Sequence, residues 1–351
     1  MQKFFSVLPV CAILFLTPFL SAQDLQQTLS NLTSDAASAY VAPIVSGFGG
    51  DLNTGWVTKV TPAKTLGFDF DFRIIAMGTF FTDPNKTFNT QASFRFNTDE
   101  ANILTSGITN SSARNQIINQ IITQDFTVKI NGPTIVGNKS DSVHVFFPGK
   151  TFSTTAGNYT VPAQNVGTPV QGFLGDLPAM PLAVPQFTFG TVYGSSVSIR
   201  VLPSIQLNSD LGKFSYFGIG IQHNPAVWLP NPVPLDFSVG FFYQRMKVGD
   251  TFDSKATIFN INASRTFGTG ALSVTPYVGV GFESSTITVK YNQLIDTPVG
   301  PEPVKVQFDL NGENSTRFVI GSSFGLGPIN INVDYNISKY NTVSAGLGFG
   351  I

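Results

Sequence analysis

The stretch Ile329-Asn-Ile-Asn-Val-Asp-Tyr-Asn-Ile-Ser338 alternates without a break. Ile329, Ile331, Val333, Tyr335 and Ile337 take the odd positions, and Asn330, Asn332, Asp334, Asn336 and Ser338 the even ones. Successive side chains of a strand point to opposite faces, so a period of two predicts a strand with one apolar and one polar side. The same pattern extends outward from this segment. Leu235, Phe237, Val239, Phe241 and Tyr243 form one row, and Leu66, Phe68, Phe70, Phe72 and Ile74 another. Val278, Val280 and Phe282, then Val304, Val306, Phe308 and Leu310, then Phe318, Ile320, Phe324 and Leu326 continue it. The rows last about ten residues, the length of a tilted strand that crosses a bilayer. Turn clusters separate them, such as Gly268-Thr-Gly270, Asn311-Gly-Glu-Asn314 and Gly325-Leu-Gly-Pro328.

Alternation suits a sandwich as well as a barrel, because both have one apolar face. Three features favour the barrel. The polar face is rich in Gly, Asn and Ser, which suits a wetted lumen. Tyr243, Tyr291 and Tyr335 sit near row ends, where an interfacial girdle needs aromatics. The chain also ends inside a row, with Val343, Ala345, Leu347, Phe349 and Ile351 alternating with Thr342, Ser344, Gly346, Gly348 and Gly350.

The N-terminus reads as an export signal. Lys3 supplies the positive region, Phe4 to Leu20 is mostly apolar, and Ser21-Ala22 precedes Gln23-Asp24, so cleavage is expected after Ala22. Cys11, the one cysteine, lies inside the apolar run and would leave with it. A chain exported without disulfides depends on a core or on lipid for stability. No stretch after residue 22 approaches 18 consecutive apolar residues, so any membrane crossing falls to strands.

Composition excludes several functions. Lys and Arg number 20 and Asp and Glu 21, for a net charge of −1, and only 12% of residues are charged. That balance argues against disorder and against a general nucleic-acid binder. Two histidines and one cysteine leave no set for zinc or an iron–sulfur cluster, and no other cofactor is indicated.

Three regions follow: a signal peptide (1–22), an N-terminal helical arm or plug (23–60), and a β-barrel (61–351) with a long loop or insert at about 99–186. Leu25, Leu29, Leu32, Ala36 and Tyr40 recur at helical spacing, and Pro43 with the Gly47-Phe-Gly-Gly50 cluster is expected to stop that helix. Residues 99–186 look irregular, apart from a short helix over Ser111–Asp125 and a Gly/Pro-rich run from Phe147 to Pro185. About ten rows after Phe187 and four before give 12 to 14 strands. The fold class is all-β: a closed antiparallel transmembrane barrel of about 14 strands with a short N-terminal helix.

Three segments carry a resemblance. They are Gly47-Phe-Gly-Gly-Asp-Leu-Asn-Thr-Gly-Trp56; Pro181-Leu-Ala-Val-Pro-Gln186 continuing to Gly190, Arg200 and Leu202-Pro203; and Phe217-Gly-Ile-Gly-Ile-Gln-His-Asn224 followed by Trp228-Leu-Pro230 and Pro234-Leu-Asp-Phe-Ser238. With them the chain resembles an uncharacterised family of bacterial outer-membrane β-barrel proteins. The ending, in which Ser344, Gly346, Phe349 and Ile351 fill a polar, glycine and spaced-apolar pattern, resembles the insertion signal of such barrels. The resemblance implies the bacterial outer membrane, outer-membrane lipid as surroundings and the barrel-assembly machinery as a partner. The helix-then-barrel layout is more distantly similar to long-chain fatty-acid transport porins, by architecture alone.

The residues themselves nominate few sites. Arg200 shares a face with Ser196 and Ser198, opposite Val197, Ile199 and Val201, which places it inside the barrel. A lipid-facing Arg near the midplane costs about 2–4 kcal/mol. It either binds an anionic group or pairs with an inward acid such as Asp236. His223 ends a row before the turn Asn224-Pro225, as an interfacial residue or a lumen ligand. Trp56 and Trp228 read as interface anchors or as walls of an apolar pocket. Only His144 and His223 could serve a hydrolase, and no nucleophile elbow accompanies them, so no catalytic residue is expected. The leading expectation is a passive channel for a small hydrophobic or amphipathic solute, gated by the N-terminal helix. The alternatives are a structural or docking barrel without transport, and a soluble periplasmic lipid-binding β-protein.

Overall fold

The computed structural model describes residues 32–175, 177–208, 212–229, 235–269, 272–297 and 300–350. The expected signal segment, Leu25, Leu29 and Ile351 lie outside them. Eighteen strands are described, and ten of them close a ring. The ring runs through β1 (Leu66–Phe80), β8 (Ala179–Val192), β9 (Ser195–Asn208), β10 (Gly212–His223), β11 (Asp236–Val248) and β12 (Phe252–Ser264). It continues through β14 (Leu272–Thr297), β16 (Thr316–Leu326), β17 (Ile329–Ile337) and β18 (Thr342–Gly350). Two pairings close it. β12 meets β14, with Phe259 opposite Phe282, and β18 returns to β1, with Ala345 opposite Ala76. Every pairing is antiparallel, so the backbone donors and acceptors of the wall are met within it.

The ring has fewer strands than the 12 to 14 rows suggested. β13 (Phe267–Thr269) pairs with Leu272–Val274 of β14, in line with β12. β15 (Gly300–Asn311) pairs with Thr286–Thr297 of β14, in line with β16. These two rows run end to end with others rather than beside them. The row Val306, Phe308 and Leu310 therefore packs on the core above the ring.

The apolar rows face outward. Val197, Ile199-flanking Val201, Phe217, Ile219, Ile221, Phe241, Phe259, Ile261 and Val280 are all exposed on one continuous side, as are Phe318, Ile320, Ile331 and Val333. A hydrophobic outer wall around a seamless ring is the form that lipid permits and water does not. No helix among the described residues is long and apolar enough to cross a membrane. Tyr335 lies on this outer face, whereas Tyr291, expected in the girdle, is buried on the inner side.

The two ends differ. One, the turn end, carries the tight connections Tyr193-Gly194 and Gly327-Pro328. Tyr193 at φ 46° and Gly194 at φ 68° give the two left-handed residues that a two-residue hairpin favours. The other, the head end, carries residues 81–178, inserted between β1 and β8. Expected to be irregular from 99 to 186, this segment is folded. β2 (Thr87–Phe94), β3 (Phe126–Pro133), β4 (Ser142–Phe147) and β7 (Gln164–Gln171) form a four-stranded sheet, beside the hairpin β5 (Lys150–Thr154) and β6 (Gly157–Val161). Two helices cover it, α2 (Thr98–Leu104) and α3 (Ser111–Ile122), the latter through buried Ile117 and Ile121.

The N-terminal helix α1 spans Ser34–Leu52. Thr33 caps it through its side chain, and Asp35 complements the helix dipole. It continues through Pro43 and Gly47–Gly50, which were expected to end it. The glycines serve another purpose: a Cβ on Gly50 would lie 2.5 Å from Thr79 Oγ1 on the wall, so they let the helix backbone approach the strands. One hydrophobic core joins Ile75, Met77 and Leu202 of the wall to Tyr40, Val41 and Val45 of α1 and to Val128, Ile130 and Phe147 of the head.

The 338–341 connection fastens the head to the ring. Tyr340 accepts a hydrogen bond from Asn85 Nδ2 at 2.8 Å and donates to Glu313 Oε1 at 3.2 Å. Burial foremost, and the Glu313 carboxylate after it, push its pKa from 10.0 up to about 12. Because the folded value is the higher, the stability it contributes is complete below pH 10 and lost as pH rises through about 12. Alkaline unfolding of the wild type is therefore expected to steepen across that window. Tyr340→Phe should flatten the slope there and lower stability at pH 7 by about 1 kcal/mol. Denaturant midpoints in detergent from pH 7 to 12 check both.

Candidate functional site: the filled lumen

Facing residues of the ring sort into layers. Toward the head end the inner side is apolar, with Met180, Leu182, Phe214, Met246 and Val289 buried. At mid-height it holds Arg73, Arg200, Arg317, Glu283, Asp334 and Gln244, all at most 9% exposed. Buried charges persist only when paired and hydrogen-bonded. Here the partners come largely from α1 and the segment after it, residues 53–61, which occupy the lumen between opposite walls.

Arg317 on β16 makes the densest set. Its Nη2 donates to Glu283 Oε2 at 2.7 Å and to the Gly50 carbonyl at 3.1 Å, and Nε donates to Glu283 Oε1 at 3.1 Å. Its Nη1 donates to Thr54 Oγ1 and, at 3.2 Å, to Asn336 Oδ1. Arg200 on β9 reaches the same segment from across the ring. It donates to Thr54 O at 3.0 Å and to Gln186 Oε1 at 2.9 Å, and its guanidinium lies 3.9 Å from the Trp56 ring centroid. Stacking of this kind on a desolvated indole is worth about 2 kcal/mol. Arg73 on β1 binds Thr58 Oγ1, Asn332 Oδ1 and Asp71. Three strands thus hold the segment by three guanidinium forks, a geometry lysine does not offer.

Trp56 fills the centre. Its indole N–H donates to Gln244 Oε1 at 2.6 Å and to Leu52 O at 3.0 Å, and its ring packs on Phe242 at 4.8 Å. Gln244 in turn donates to Asn53 Oδ1 at 2.6 Å. Gly55 makes the bend after the helix at φ 69°, where a Cβ would meet Ile75 at 2.9 Å. Lower down, Thr61 bonds Ser196 at 2.6 Å and Gln222 at 2.7 Å. Asp334 on β17 accepts from Tyr277 at 2.9 Å and Ser344 at 2.7 Å. The lumen is thereby occluded from Leu52 to Thr61. Below the block, at the turn end, a cup of about 260 Å³ remains, lined by Lys59, Arg73, Asp71, Ser198, Gln222 and Asn330 among others.

The expected site residues separate. Arg200 is inside and fully buried, but its partners are Gln186, Thr54 and Trp56 rather than Asp236. Asp236 opens β11 at the rim, half-buried. His223 and Trp228, candidates for the lumen, lie outside it. His223 has the outward parity of Ile219 and Ile221, and Trp228 is 64% exposed. Ser344 and Gly346 face inward, Gly346 against Asn332, whereas Phe349 faces out. Sequence reading missed Arg73, Arg317, Glu283 and Gln244. The available signal was a charged or amide residue on the polar side of each row, such as Arg73 between Phe72 and Ile74.

The rim cluster has a chemistry that needs testing against hydrolysis. Ser195 Oγ lies 2.9 Å from His223 Nδ1, a pairing the sequence distance concealed. Trp228 donates its indole N–H to His223 Nε2 at 3.3 Å. An indole N–H only donates, so Nε2 accepts, and the neutral ring carries its proton on Nδ1. That proton points at Ser195, which leaves no lone pair to draw the serine proton away. The cluster, with Tyr193 stacked on Trp228 at 5.7 Å, is an aromatic rim of the kind found at membrane interfaces. Among the described residues no three His, Cys, Asp or Glu side chains gather as a metal site would require.

A seamless antiparallel ring, apolar outside and charged at mid-height inside, defines the class: an outer-membrane-type β-barrel. The chain matches over residues 1–351 the family of unknown function DUF6588, and it belongs to that family. No curated protein matches it. Solved structures with some likeness include the loop L8 deletion mutant of OmpT, an outer membrane protein of Vibrio cholerae, at 10% identity and a TM-score of 0.24, covering 81% of this chain and 98% of that one. The transport unit of the autotransporter AIDA-I from Escherichia coli shows 9% identity and a TM-score of 0.24, covering 90% and 96%. The N-terminal β-barrel domain of Pseudomonas aeruginosa OprF shows 14% identity and a TM-score of 0.21, covering 45% and 98%. At such scores the barrel assignment rests on the strand pairing of this chain.

Breaking a buried ion pair by removing one partner leaves the other charge uncompensated, at about 3–5 kcal/mol. Arg317→Ala is expected to lose that much, because Glu283, Gly50 O and Thr54 all lose their donor. Replacing both partners, Arg317→Met with Glu283→Leu, should recover part of the loss. Urea midpoints in detergent micelles measure each.

Proposed function

We propose that the protein is a plugged outer-membrane anchor that presents the folded head, residues 81–178, at the cell surface. The observation that carries this reading is the single apolar core running from the wall through α1 into the head. A helix that only gated a pore would need a separable seat, whereas α1 is bonded at both ends. Tyr40 donates to Gln171 O at 2.8 Å in the head, and Gly50 and Thr54 are held by Arg317 in the wall. Outer-membrane barrels carry their long insertions on the outer side, and on that rule the head end is the outward one, although the other end also bears the connection 224–235. Export by a signal cleaved near Ala22, insertion by the barrel-assembly machinery through the C-terminal strand, and the absence of enzymatic activity are parts of the same proposal.

A second reading, gated passage of a small amphipathic solute, is favoured by one feature: the polar cup that reaches from the turn end to Trp56. Planar-bilayer recordings separate the two. The anchor reading expects the full chain to stay closed, and a variant lacking residues 23–61 to conduct or to fail assembly. Stable conductance of the full chain, with solute flux that changes when the segment is deleted, would replace the anchor by the gate.

A further inference from the structure

Among the described residues, the outer wall concentrates charge toward the head end of one arc. On strands β10, β11, β12 and β14, the rows that are apolar at mid-height turn basic toward the head end. Above Phe217 and Ser215 comes Lys213; above Phe241 and Tyr243 come Arg245 and Lys247; above Phe259 and Thr257 comes Lys255; above Phe282 and Thr286 comes Lys290. Cross-strand register makes the group contiguous, with Arg245 opposite Lys255 and Lys247 opposite Asp253, and Ser215 opposite Lys247. Directly opposed residues on one face stand about 5 Å apart, and diagonal ones about 7–8 Å. Lys213, Lys247, Lys255 and Lys290 are exposed. Among the described residues the acids nearby are Asp253, Asp309 and Asp250. Asp253 is engaged by Arg245 at 2.8 Å and lies 3.8 Å from Lys247 Nζ, and Asp309 accepts from Thr288 at 2.6 Å. Toward the head end of the opposite arc the outward positions are Ala183 on β8, Ala76 and Gly78 on β1, and Val343 and Ala345 on β18.

We propose that this basic arc is a binding surface for the phosphorylated headgroup of an outer-leaflet glycolipid. The apolar rows beneath fix its height: cations set at the upper edge of a lipid-facing band meet headgroups rather than acyl chains or bulk water. Four lysines spread over four strands suit a ligand with more than one phosphate, each taken as a point charge. Arg245, fixed by Asp253, is the rigid member. Placement in the outer leaflet rests on the orientation proposed above, whereas headgroup binding itself does not.

The test uses the full chain in nanodiscs of zwitterionic phosphatidylcholine doped with bisphosphorylated lipid A, with the same glycolipid after phosphatase treatment, or with inorganic phosphate alone. Native mass spectrometry reads the glycolipid retained per barrel. The wild type is expected to retain the bisphosphorylated form at least tenfold over the dephosphorylated one, less so at 1 M salt. Lys247→Gln/Lys255→Gln/Lys290→Gln should abolish that preference, while Lys129→Gln/Lys139→Gln/Lys150→Gln on the head keeps it. Equal retention by the two triple variants, no loss on dephosphorylation, or displacement by millimolar inorganic phosphate would each overturn the proposal. Because both leaflets of the disc are alike, failure here is independent of orientation, which protease accessibility of the head on intact cells reports separately.

Discussion

The constraint that orders this structure is the absence of water beside the outer wall. In hydrocarbon a backbone donor or acceptor has only the protein to bond, at several kcal/mol for each one left unmet. A sheet with two edges cannot satisfy that, so β18 must return to β1 and β14 must meet β12. Once the ring is closed, alternation fixes everything else. One side chain in two faces lipid and is apolar, and its neighbour faces a lumen too narrow to remain empty.

How the lumen is filled follows from what the inward residues demand. Three buried arginines need acceptors, and the wall alone supplies Glu283, Asp71 and the amides of Gln186, Asn332 and Asn336. The backbone carbonyls of Gly50 and Thr54 and the hydroxyls of Thr54 and Thr58 complete the sets. The plug is therefore part of the fold's electrostatics as well as of its packing. The same helix continues into the head, so barrel, plug and head are coupled through α1. This is why a mounted head accounts for the geometry better than a freely opening gate.

Much of this was legible along the chain. Rows such as Ile329–Ile337 and Phe237–Tyr243 declare a wall because a two-residue period has one structural meaning over that length. Arg200 is recognisably inward from Ser196 and Ser198 beside it. Strand number was not legible: a row carries no sign of whether it lies beside its neighbour or in line with it, and β13 and β15 are in line. The head was missed although Phe126, Val128 and Ile130 alternate, because shorter rows among turns look irregular. Gly47–Gly50 looked like a helix stop because glycine's cost in a helix is visible in sequence, whereas the wall it approaches is not. Contacts across the lumen, Arg317 to Gly50 or Trp56 to Gln244, depend on ring closure and have no local signature.

Closure itself can be measured. The mature chain is expected to lack cysteine, so Ala76→Cys with Ala345→Cys introduces one pair, outward on β1 and β18 and opposite one another. Oxidation should join the two quantitatively and hold the barrel's compact migration in detergent gels after heating. A matched pair within one hairpin, Ser322→Cys with Val333→Cys, should join as readily. If the hairpin pair forms and the Ala76–Ala345 pair does not, the ring is open and the account fails.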